Sequence, residues 1–154
     1  MMLRRILVLV LFLLSLAATV CADQRNDPRE QALSDTLDLW REGRFEQLYD
    51  QLSHRSSLSR EQFAERMRDL GSVRPSCCHQ KLRDFRVISE KRTTAKVFAR
   101  IGMDGTGLAS DTRSRDFTLD HEEGRWKLRL SDLKSLAGLG SKKGRTKHSV
   151  KSIR

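Results

Sequence analysis

The sequence predicts an α+β domain with N-terminal helices packed on an antiparallel sheet. Two observations carry this prediction. Apolar residues recur at helical spacing from Pro28 to Leu70. From Lys81 the apolar period changes to two, the spacing of half-buried strands. A third observation is punctuation: Gly43, Gly71 and Arg74-Pro75 separate the helical segments, and Glu122-Glu123-Gly124 divides the last two strands.

The first helix has its start and stop signals in place. Asp27 is a good N-cap, Pro28 suits the first helical position, and Glu30 completes a capping-box spacing. Leu33, Leu37 and Trp40 follow at helical intervals until Gly43. A short second helix places Phe45, Leu48, Tyr49 and Leu52 on one face. In the third, Ser59 caps, Gln62 sits at the reciprocal position, and Leu58 staples against Phe63. Phe63, Met67 and Leu70 carry its apolar stripe to Gly71.

The strands follow by alternation. Phe85 and Val87 alternate with Asp84 and Arg86, and Ala95, Val97, Ala99 and Ile101 with Lys96 and Arg100. Gly102 to Gly107 reads as a flexible loop, with no strand-loop-helix context for a phosphate cradle. Phe117 and Leu119 alternate with Asp116, Thr118 and Asp120; Trp126, Leu128 and Leu130 alternate with Arg125, Lys127 and Arg129. This last pair forms a hairpin with a two- or four-residue loop. It sets Trp126, Leu128 and Leu130 inward and places Asp116 and Asp120 among the three cations on the other face.

The N-terminus reads as a secretory signal peptide covering residues 1–22. Arg4 and Arg5 precede an apolar run from Ile6 to Leu14, and Val20-Cys21-Ala22 precedes the polar Asp23. A retained anchor competes, but Ile6 to Val20 is shorter than the roughly 20 residues a spanning helix needs. A lipoprotein anchored at Cys21 also competes, against Val20 where a lipobox has a small residue. The predicted location is therefore periplasmic or extracellular. Of the 154 residues, 30 are basic and 20 acidic, for a net charge of +10. The excess sits at the two ends. Lys142, Lys143, Arg145, Lys147, Lys151 and Arg154 are unaccompanied by any acid after Gly140, while residues 23–140 are nearly balanced. The folded part, predicted as residues 23–137, is thus not a basic surface for nucleic acid. Residues 138–154 read as a disordered basic tail, too poor in apolar groups to offset ordering entropy. The tail either is simply solvated or attaches to an anionic envelope surface.

Cys77 and Cys78 are the two cysteines left after cleavage. Adjacent Cα atoms lie about 3.8 Å apart, below the usual disulfide range of about 4.4–6.8 Å. They are read as an inert or vicinal pair, a bridge to a second chain, or, with His79, a soft-ligand segment. Zinc sites space their ligands and use four of them, so no metal and no cofactor is predicted.

Trp40-Arg41-Glu42-Gly43-Arg44-Phe45 with Leu48-Tyr49, and Glu123-Gly124-Arg125-Trp126-Lys127-Leu128 near the end, resemble the nuclear transport factor 2-like superfamily. This is the cone fold shared with ketosteroid isomerases and SnoaL-like proteins. The resemblance covers about Arg29 to Leu133. It implies a curved sheet wrapping a long helix, a pocket at the open end and dimerisation through the sheet. The superfamily holds enzymes, ligand binders and interaction modules, so fold does not settle function.

Enzymes of this fold place an acid, base or hydroxyl inside the cone. The predicted inward set, from Phe85 to Leu130, holds no carboxylate. Tyr49, Arg83, Arg115, His121 and Trp126 are the predicted pocket residues, a set suited to an anionic or polar ligand. His121 is a candidate general base, but it lies beside a turn. The favoured expectation is an exported, non-catalytic module binding an unknown small molecule or envelope protein. The alternatives are a small-molecule isomerase, dehydratase or hydrolase using the pocket, and thiol or metal chemistry at Cys77-Cys78-His79.

Overall fold

The computed structural model of this protein describes residues 27–108 and 111–139. The predicted signal peptide and the six tail cations lie outside the described residues. Among the described residues, four α-helices pack on a curved, unclosed sheet of six strands, an α+β architecture.

Helix α1 (Pro28–Arg41) begins at Asp27, whose carboxylate accepts from the Arg29 backbone N–H at 2.9 Å. Arg29 completes this cap with its own side chain, donating Nε–H and Nη2–H to the two Asp27 oxygens. Helix α2 (Phe45–Asp50) runs into the two-residue strand β1 (Leu52–Ser53). Helix α3 (Arg60–Arg68) carries the predicted capping box. Ser59 Oγ accepts from Gln62 N at 3.2 Å, and Gln62 Oε1 accepts from Ser59 N at 3.3 Å. Leu58 and Phe63 are both buried in the same core.

Strands β2 (Arg74–Pro75), β3 (Leu82–Lys91), β4 (Thr94–Asp104), β5 (Asp111–Glu122) and β6 (Arg125–Arg129) follow. The order is β1-β6-β5-β4, and the far edge of β4 is shared by β2 and β3. All pairings are antiparallel except β1 with β6. Two register shifts in β3, at Arg83–Arg86 and Val87–Ser89, are bulges that bend the strand and increase its twist.

The core lies between α1 and the inner sheet face. Leu33, Leu37 and Trp40 meet Ala95, Val97, Ala99, Ile101, Phe117, Leu119 and Leu128. The alternation read from the sequence is correct for these strands, with three exceptions. Val87 is 36% exposed, because β3 is an edge strand and α1 packs over β6 and β2 instead. Trp126 shares the inner face with Leu128 but sits at the rim, half-buried. Leu130 is fully buried, yet it opens a helix rather than extending the strand.

That helix, α4 (Leu130–Ala137), is an element the sequence reading did not mark within its predicted domain of residues 23–137. Leu130, Leu133, Leu136 and Ala137 form its buried face, and Gly138 closes it in a left-handed conformation. Asp132 in its first turn accepts the Thr118 backbone N–H at 2.6 Å, a donor beyond the end of β6. The expected loop from Gly102 also starts later. β4 continues to Asp104 because Arg74 and Pro75 pair with Asp104 and Met103. Gly102 allows this close approach: a Cβ there would lie 2.4 Å from the Gln80 carbonyl oxygen.

Candidate functional site

The β5–β6 hairpin positions Trp126, an aromatic group partly open to solvent. Its turn is the two-residue pair Glu123–Gly124, with φ of 53° and 76°. Positive φ at both positions suits the right-handed twist of the flanking strands. This register sets His121 opposite Trp126 on the inner face. The rings meet edge-on, 5.0 Å between centroids at 62°. The Arg29 guanidinium lies 5.9 Å from the Trp126 ring centroid, braced by Asp27 and by Glu90 of β3. Trp126 is therefore fixed on one side and open on the other.

The open side faces a cleft of about 280 Å³. Pro28, Gln31, Ala32 and Asp35 of α1 form one wall, Asp50 and Gln51 the next, and Gly124, Arg125 and Lys127 the third. Two of its four charges are already engaged. Asp50 accepts two bonds from Arg60, at 3.2 and 2.9 Å. Lys127 is buried beneath Glu123 at 2.7 Å and Glu122 at 3.7 Å. Asp35 accepts a neutral bond from Gln31 at 2.6 Å. Among the described residues, neither Asp35 nor Arg125 has an ion-pair partner. No His, Cys or Tyr lines the cleft.

Of the five pocket residues read from the sequence, the structure brings Trp126 and His121 together, and Trp126 alone lines this cleft. Tyr49 turns its hydroxyl into the backbone, donating to the Leu58 carbonyl at 2.6 Å, and packs on Phe63. Arg83 borders a separate recess with Asp104 and Asp111. Arg115 faces Ala99 across the ladder, two residues from buried Phe117 and half-buried itself. Sequence reading missed Asp35, Gln31 and Gln51. They lie on the solvent side of helical periodicity, and only the docking of α1 beside β6 makes them walls.

A second concentration of polar groups lies on the opposite sheet face. Asp120, nearly buried, accepts two bonds from Arg129, one from Ser53 at 2.8 Å and one from Thr94 at 3.1 Å. His54 Nε2 is 3.4 Å from the same carboxylate. Arg129 above all, with Ser53 and Thr94, holds the Asp120 carboxyl at about 2, against its burial. Serine, histidine and aspartate meet here without forming a nucleophile. Ser53 donates to Asp120 and not to His54, so no base withdraws its proton.

Cys77 and Cys78 are exposed free thiols, and Cys78 has a φ of 57°. The neighbouring Cys77 thiol pushes the Cys78 thiol above its ordinary range. Among the described residues no group of three or more His, Cys, Asp or Glu is placed to hold a metal ion. No helix among them is long and apolar enough to cross a membrane. A scan of protein-family models and a search of curated proteins returned no match for this chain.

Proposed function

We propose that this protein is an exported, non-catalytic binding module of the nuclear transport factor 2-like class, holding a small ligand in the Trp126 cleft. The observation that carries this reading is the position of the open space. The interior between α1 and the sheet is filled by fully buried Ala95, Val97, Ala99, Ile101, Phe117, Leu119 and Leu128. The cleft sits at the rim, floored by the half-buried indole of Trp126. An aromatic floor with a few polar walls suits recognition. Acid–base chemistry needs a group poised to move a proton at the reacting atom. The carboxylate with the strongest set of partners, Asp120, is on the other sheet face and held ionised by Arg129.

Export rests on the Arg4-to-Ala22 pattern, and the superfamily reading on the helix-junction and hairpin motifs together with the curved sheet. Native mass spectrometry of the protein purified from its own cells tests the function. The expected result is a mature chain beginning at Asp23 that retains a small ligand, which Trp126→Ala loses. Equal retention by both chains, or turnover of the ligand by the wild type, overturns the reading.

A further inference from the structure

We infer that the Trp126 cleft recognises a zwitterion: a free α-amino acid or a dipeptide with an apolar side chain. The inference rests on the cleft being a ligand site and adds the class of ligand. Three observations support it.

The first is size. About 280 Å³ lies at the small end of ligand pockets, which run to roughly 300–1,000 Å³. That space matches an amino acid or dipeptide more closely than a cofactor or a steroid-sized molecule. The second is the floor. Trp126, Ala32 and Pro28 bring side chains with no polar atom except the indole N–H. A hydrocarbon or aromatic side chain is the complement of that surface.

The third is the charge left over. Asp50 is spent on Arg60 and Lys127 on Glu122 and Glu123. What remains among the lining residues is one carboxylate, Asp35 of α1, and one cationic residue, Arg125 of β6, at the edge of the cleft. An anion would satisfy Arg125 and meet Asp35. A cation would do the reverse, and a neutral apolar ligand would desolvate both without compensation. An ammonium and a carboxylate on one small molecule satisfy both walls. Arg125 suits a carboxylate in particular, because its planar fork donates in pairs. The sheet edge adds to this. β1 pairs with β6 only at Leu128 and Arg129, so beside Arg125 and Trp126 the edge of β6 away from β5 has no paired strand.

The test is a titration of the full chain with L-leucine, N-acetyl-L-leucine, L-leucinamide and glycyl-L-leucine, followed by indole fluorescence and backbone amide shifts. L-leucine and glycyl-L-leucine should perturb Trp126 and the amides of Arg125 and Asp35. Acetylation or amidation should weaken binding about tenfold, since each deletes one charge-assisted contact. Asp35→Asn should erase the discrimination against the acetylated compound and Arg125→Gln that against the amide. Equal affinity for all four compounds overturns the zwitterion inference but leaves the cleft a ligand site. Binding of none of them, while native mass spectrometry still shows a ligand that Trp126→Ala loses, has the same meaning. Binding unaffected by Trp126→Ala overturns both readings.

Discussion

Arg129 donates Nε–H and Nη2–H to the two oxygens of Asp120, at 2.7 and 2.8 Å. This bidentate pair joins β5 to β6, and the remaining Asp120 contacts reach β1 through Ser53 and β4 through Thr94. One side chain thereby ties four consecutive strands of the sheet together on its outer face. Asp120 and its partners lie on the sheet face opposite Trp126.

Acid should expose that contribution. The Asp120 carboxyl sits at about 2 in the folded chain, against an ordinary 3.8. A lowered folded value stabilises the fold above the unfolded pKa and loses its effect as pH falls through the folded one. Between about pH 4 and pH 2 the protein should lose roughly 2 kcal/mol from this group. Urea melts across that range check the slope. Asp120→Asn should remove this part of it and, at pH 7, cost roughly 2–3 kcal/mol as charged hydrogen bonds are lost. An unchanged acid slope in the variant would assign the effect to other carboxylates.

The two tryptophans should behave differently. Trp40 is 2% exposed, while Trp126 is half-buried at the rim. Acrylamide should quench Trp126 and spare Trp40, measured in single-tryptophan variants. Trp126→Ala should cost about 1–2 kcal/mol, less than the roughly 3–5 kcal/mol expected for a fully buried aromatic such as Phe117.

Helix α4 should prove integral to the fold. Leu133 is fully buried and Ser131 on the same helix is exposed. Leu133→Ala should destabilise by roughly 2–5 kcal/mol, and Ser131→Ala by less than about 0.5 kcal/mol. Similar small effects in thermal melts would detach α4 from the core.

Gly102 should resist a side chain. A Cβ there meets the Gln80 carbonyl oxygen at 2.4 Å, a backbone atom that cannot swing aside. Gly102→Ala should cost about 1–3 kcal/mol through overpacking. Amide exchange should speed up at Ser76, whose N–H donates to the Gly102 carbonyl, and at residue 102, whose N–H donates to the Lys81 carbonyl.

The thiols should titrate as neighbours. Both should react with iodoacetamide without denaturant, read by peptide mapping, because both are exposed. Cys77→Ser should move Cys78 alkylation to lower pH, since the Cys77 thiol is what raises it. An unchanged pH profile would mean that the two thiols act independently.

The sequence by itself determined everything that depends on near neighbours in the chain. Asp27, Ser59 and Gln62 mark helix starts because a cap is a bond across two or three residues. Glu123–Gly124 marks the hairpin, and alternation from Ala95 to Ile101 chooses the inner face. Even Asp120 and Arg129 were legible as sharing a face, since strand residues two apart point the same way. Tertiary structure alone decided what depends on distant segments meeting. Val87 alternates like a core residue, but the edge position of β3 leaves it uncovered. Leu130 continues the strand pattern, but it opens α4, which the alternation does not mark. The candidate site is the clearest case. Trp126 was marked by composition and register, whereas Asp35 and Gln51 became its walls only because α1 and the α2–β1 turn pack beside the open edge of β6. Local hydrogen bonding and periodicity are written along the chain. Which polar side chains converge is set by how curved layers dock, over separations that no local pattern spans.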